Sequence, residues 1–131
     1  MDAVELTAWL WADDGQFGDI QVEVEVNGQI ERGRPESNGR VNLMLPPDVV
    51  ATIRFIKPGH LTKEVSIDTH HIHDGDFHGK QRHLKFAVVM QALKDVQGQS
   101  YAGPVGTISF DEGGGQLAVN HDHRLMRATK K

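Results

Sequence analysis

The sequence predicts an all-β protein, a Greek-key β-sandwich of about seven to nine strands, folded as a single domain over residues 1–131. Three observations carry this. Apolar and polar residues alternate in one run after another, and clusters of Gly, Pro, Asn and Asp punctuate the runs every ~8 to 12 residues. No long stretch holds the 3.6-residue apolar period of a helix.

In chain order, Val4, Leu6, Ala8 and Leu10 alternate with Glu5, Thr7, Trp9 and Trp11, a strand with one face inward. Asp13, Asp14 and Gly15 form a turn, and Ile20, Val22, Val24 and Val26 then alternate with Gln21, Glu23 and Glu25. Asn27-Gly28 tolerates the positive φ angles of a type I′ turn, so the chain folds back as a hairpin through Gln29 to Arg32. Ser37-Asn38-Gly39 turns into a strand with Val41, Leu43 and Leu45 on one face, closed by Pro46-Pro47-Asp48. Val49, Ala51, Ile53 and Phe55 share the face of the next strand up to Lys57-Pro58-Gly59, and Val65 with Ile67 marks another.

From 69 to 83 the alternation fails and His, Asp and Gly dominate, which predicts a long loop. Leu84, Phe86, Val88 and Met90 restore a strand, and Ala87 with Val89 on its other face suggests burial on both sides. Residues 87–95 could be read as a short helix, but the valine pair and the flanking strands favour a strand. Residues 97–104 read as loop. A weak strand over Val105 to Phe110 follows, then a Gly113-Gly114-Gly115 turn and a partner strand with Leu117 and Val119.

At 131 residues the chain can bury a core without disulfides or a structural metal. A net charge of −4 argues against a surface that tracks phosphates, so nucleic acid is not an expected partner. Cysteine is absent, which excludes thiolate chemistry and thiolate metal sites. No apolar stretch reaches the ~18 residues of a membrane span, and the N-terminus has neither the basic nor the apolar region of a signal peptide.

Several pieces of this order resemble one family. After a first strand and the Asp14-Gly15 turn comes a valine strand. Asn38-Gly39-Arg40-Val41-Asn42-Leu43 then resembles an Asn-Gly-Lys/Arg-Phe-x-Leu strand start, and Leu45-Pro46-Pro47 and Lys57-Pro58-Gly59-His60 resemble Leu-Pro-Pro-Gly and Lys-Pro-Gly-Tyr turns. Together they resemble the carboxypeptidase regulatory-like family, a transthyretin-type (prealbumin-like) sandwich, over roughly residues 6–68. Asp48 departs from the usual glycine and His60 from the usual aromatic. On this reading residues 1–68 form the core, 69–83 a His-rich loop, and 84–131 additional strands similar to an extension seen in some exported bacterial proteins. The resemblance implies a non-catalytic accessory or interaction module, usually outside the cytoplasm.

Enzymes on related folds do not fit. Hydroxyisourate hydrolases end in Tyr-Arg-Gly-Ser and carry an early histidine, whereas this chain ends Ala128-Thr129-Lys130-Lys131 and has no histidine before His60. Intradiol dioxygenases need two tyrosines for iron, and only Tyr101 exists. No Gly-x-Ser-x-Gly elbow occurs, and the Gly113 to Gly115 run lacks the Lys-Ser/Thr of a phosphate loop.

Histidine is the unusual component. His70, His71, His73, His78 and His83 crowd one segment together with Asp68, Asp74 and Asp76, and His121-Asp122-His123 repeats the i, i+2 spacing. Imidazole and carboxylate are ligands for zinc, nickel or copper, so His71, His73, His78, His121 and His123 are candidate ligands if loop and C-terminal strand converge. The plainer reading is a solvated loop, because no standard ligand spacing is present. Eight histidines also admit pH sensing. Trp9 and Trp11, on the outer face of the first strand, suit a sugar platform or a protein hot spot unless a second layer covers them.

The expected function is therefore a non-catalytic binding or assembly module that makes protein contacts, to a partner or to a second copy, through a sandwich face or edge strand, with no resident cofactor. The alternatives are a metal-binding protein using the His-rich loop and a carbohydrate-binding module using Trp9 and Trp11.

Overall fold

The structure is a computed structural model that describes residues 4–93, 99–101, 103–122 and 125–127. Among these residues eleven strands form, nine of them in two sheets. They are β1 (Val4–Trp11), β2 (Gln21–Val26), β3 (Gln29–Gly33), β4 (Arg40–Leu45), β5 (Val50–Ile56), β6 (Lys63–Asp68), β7 (His83–Val89), β8 (Gln99–Tyr101), β9 (Gly106–Phe110), β10 (Leu117–His121) and β11 (Leu125–Arg127). The smaller sheet runs β4-β1-β7 and the larger β10-β9-β6-β5-β2-β3, while β8 and β11 pair separately. The all-β class and the two-sheet layering agree with the alternation in the sequence.

Inner faces meet in one core. Val4, Leu6, Ala8 and Leu10 of the smaller sheet are buried together with Val22, Ala51, Ile53, Phe55, Val65 and Ile67 of the larger. Each Val, Leu, Ile and Phe among them contributes about 1.5–3 kcal/mol on leaving water. Turn chemistry behaves as its residues require. Asn27 and Gly28 adopt φ values of 53° and 79°, closing the β2–β3 hairpin, and Asp48 takes φ 60° at a position where the resembling family has glycine.

Two expectations change. Residues 97–104 include strand β8 rather than loop alone, its partner β11 lying far along the chain. β7 is not covered on both sides: it pairs in parallel with β1 at the edge of the three-stranded sheet, leaving Ala87 and Val89 exposed. A four-residue-long alternation of apolar side chains looks the same whether its second face meets protein or water.

The sheets also differ in width, and this shapes the surface. The larger sheet has six strands to the smaller sheet's three, and exposure marks β10, at its edge, as an overhang. Leu117 and Val119 share the face of buried Phe110 and Ile108 through direct cross-strand pairing, yet are 51% and 43% exposed. That overhang leaves a cleft beside β7.

Candidate functional site

The His-rich segment is held by specific contacts. Thr69 is fully buried, its hydroxyl donating to the Pro46 carbonyl at 2.9 Å and accepting from the Val49 N–H at 3.0 Å. Beyond it the loop packs onto the glycine turn between β9 and β10. The Asp74 carboxylate accepts from the Gly113 N–H at 2.8 Å and lies 3.0 Å from His71 Nδ1. The Gly113 hydrogen bond comes first, and His71 adds to it, in holding the Asp74 carboxyl below the usual carboxylate range. Arg82 donates to the Ile72 and Gly115 carbonyls and stacks 3.6 Å from the Phe77 ring centroid, tying both ends of the loop to the turn. The glycines are required: a Cβ on Gly115 would lie 2.8 Å from the Asp74 carbonyl oxygen, at a φ of 69°.

The histidines are thereby distributed rather than gathered. His70 Nδ1 lies 2.6 Å from Asp68, His83 Nε2 2.9 Å from the Thr7 hydroxyl, and His78 is exposed. His73 Nε2 is buried with no hydrogen-bond partner. His121 sits at the end of β10 away from the glycine turn, ~13 Å along the strand from Leu117. Among the described residues no three His, Asp or Glu side chains are grouped to hold a metal, and His123 lies outside those residues. Among the described residues the convergence on which His71, His73, His78 and His121 depended as candidate ligands does not form, because the loop meets one end of β10 and His121 occupies the other.

Trp9 and Trp11 are on the surface, 43% and 57% exposed, so neither a second layer nor the loop covers them. Register places Trp9 between Arg40 of β4 and Ala87 of β7, and Trp11 beside Val89, itself 47% exposed. β4 begins at Arg40, so nothing from that strand flanks Trp11. The Arg40 guanidinium lies 5.6 Å from the Trp9 ring centroid while its Nε pairs with Glu36 at 3.2 Å. The result is a flat apolar patch with a cation at its rim. By contrast the outer face of the larger sheet is laced with cross-strand ion pairs, Arg54 reaching Glu23, Glu25 and Glu64. The part of the smaller sheet around the tryptophans exposes apolar surface instead.

A third feature escaped the sequence reading. On β6 the burial alternates through Lys63, Val65 and Ile67, so a lysine occupies an inward position and is 6% exposed. It lies in the cleft beside β7, about 480 Å³ in volume and lined by Val65, Phe86, Val88, Ile108 and Val119, with Gln91, Tyr101 and His121 as its other polar groups. Burial pushes the Lys63 ammonium below its ordinary range. The strand parity that puts Val65 and Ile67 inward applies equally to Lys63 and was the available signal.

No family model matches the chain, and no curated protein matches it either. Among solved structures, that of S.CueP is similar at 12% identity and a TM-score of 0.47, over 70% of this chain. The chain spans 65% of that protein's length.

Proposed function

We propose that this protein is a non-catalytic binding module that contacts a protein, in the first instance a second copy of itself, through the outer face of the β4-β1-β7 sheet. The observation that carries the reading is the contiguous exposed patch of Trp9, Trp11, Ala87 and Val89 with Arg40 at its edge. Tryptophan and arginine are the residues most enriched at interface hot spots, and such a patch is stabilised when a partner removes it from water. Among the described residues the outer side of β7 is unpaired; it borders the patch and offers backbone groups for strand addition. A carboxypeptidase regulatory-like, transthyretin-type ancestry and an extracytoplasmic location fit this role; the ordered turn motifs and the positive φ of Asp48 support the ancestry.

Sedimentation and tryptophan emission across a concentration series test the proposal. Self-association through this face gives a dimer mass together with a blue shift of emission, both abolished by Trp9→Ala/Trp11→Ala. A monomer whose emission is quenched saturably by oligosaccharides moves the function to the carbohydrate alternative, which the paired rings also suit. A monomer with neither response overturns the patch as the binding face. The metal-binding alternative rests on the orphaned His73 Nε2 alone, and zinc, nickel and copper titration of a His71→Ala/His73→Ala variant against the parent decides it.

A further inference from the structure

Two lysines of this chain occupy inward-facing positions, and their surroundings differ. Lys57 continues the Ala51, Ile53, Phe55 face and is fully provided for: its ammonium lies 2.7 Å from Asp19 and 3.2 Å from Asp14, and donates to the Gln16 carbonyl at 3.0 Å. Lys63 is also buried, but among the described residues it has no counter-charge. Among the described residues its ammonium makes no hydrogen bond and no ion pair, and the Tyr101 ring lies 5.5 Å from Nζ to the centroid. A buried ammonium with only a ring face beside it is costly to keep. A buried, unpaired titratable group beside a cleft marks a candidate binding site, where a ligand supplies the missing charge.

The space next to it says what that is. The cleft opens onto Lys63 at one end and runs between the β7 side chains Phe86 and Val88 and the overhanging strand residues Ile108 and Val119. Its volume of about 480 Å³ falls within the ~300–1,000 Å³ usual for small-molecule sites. An apolar wall with one buried cation at its end is complementary to a molecule with an apolar body and one terminal anion. We propose that this cleft binds a small apolar monocarboxylate, its carboxylate on the Lys63 ammonium and its hydrocarbon body along Val65, Val88, Ile108 and Val119. Tyr101 backs the ammonium and His121 stands at the rim of the same cleft. A carboxylate fits better than a phosphate ester because a single lysine supplies one charge and the described lining adds no arginine.

The cleft shares Ala87 and Val89 of β7 with the patch but neither tryptophan, so the tryptophan variant and the cleft variants test the two readings apart. The test uses the whole chain, decanoate below its micellar concentration, and decanol as its uncharged counterpart, with calorimetry and methyl NMR. Expected are one-to-one decanoate binding with shifts at Val65, Ile108 and Val119, weaker binding of decanol, and loss of at least about tenfold in decanoate affinity in Lys63→Met. Methionine keeps the apolar stem, so Lys63→Met should fold, and its affinity for decanol should hold or rise. Val119→Trp, which fills the cleft from its exposed side, should block both ligands. The proposal is overturned if decanoate does not saturate, if Lys63→Met binds it as the parent does, or if Trp9→Ala/Trp11→Ala rather than Val119→Trp abolishes binding.

Discussion

Lys57 and Lys63 show how one residue type at equivalent strand parity acquires opposite electrostatics. Burial alone would depress Lys57, but hydrogen bonds and charge from Asp19 and Asp14 more than offset it and raise its pKa. With a raised folded value, its contribution is fully present below the ordinary 10.5 and lost as pH climbs through the folded pKa. Lys63 has only the burial and is lowered from 10.5. Between its folded value and 10.5 the unfolded chain holds more protons than the folded one, so Lys63 makes stability rise with pH across that window. Lys63→Met should abolish that rise and should be more stable than the parent at neutral pH, read from urea midpoints taken from neutral pH up to about pH 10.5. Tyr101, raised by burial, acts in the opposite direction above 10.0, so the parent-minus-variant difference is the quantity to compare. A variant less stable than the parent at neutral pH would mean that Lys63 has a counter-charge after all.

At the scale of elements, the His-rich loop and the β9–β10 turn are one unit made of interlocking short residues. Gly115→Ala places a Cβ against the Asp74 carbonyl at a left-handed φ, which costs about 1–2 kcal/mol for the backbone alone before the clash is counted. It should lower the thermal midpoint more than Gly28→Ala, where φ is also positive but nothing lies within 4 Å. Equal effects at both sites would show that the loop does not press on the turn. Asp74 gives the same unit an acid limit. Its pKa lies below 3.8, so the stability it confers is present above that pH and is lost as pH falls through the folded value. Asp74→Asn should be less stable than the parent at neutral pH and flatter below about pH 4, and unchanged acid unfolding would place the sensitive carboxylate elsewhere.

For the whole molecule, the unequal width of the two sheets is the governing fact. Strands that face each other across the core bury their inner residues completely, and Phe55→Ala should cost about 3–5 kcal/mol, a large share of the ~5–15 kcal/mol of a domain. Leu117 has the same inward parity, but no strand of the smaller sheet lies over it, and Leu117→Ala should stay within about 0.5 kcal/mol in urea unfolding. A large loss at Leu117 would mean that the overhang is covered in solution.

The sequence by itself determined the class of fold and most of its strands, because side-chain alternation and turn residues are local: a period of two and an Asn-Gly pair act within a few residues. It also placed Trp9 and Trp11 on an outer face, since Val4, Leu6, Ala8 and Leu10 occupied the inner one. Whether that outer face met water, and whether Ala87 and Val89 did, depended on a neighbouring layer, which no local pattern records. The same holds for the histidines. Close in sequence, they were separated by hydrogen bonds to Asp68, Asp74 and Thr7, while His121 was carried to the far end of β10. Only the tertiary structure decided that Lys57 met two carboxylates and Lys63 an apolar cleft, because a counter-charge is set by which strands pack together and how far each sheet extends.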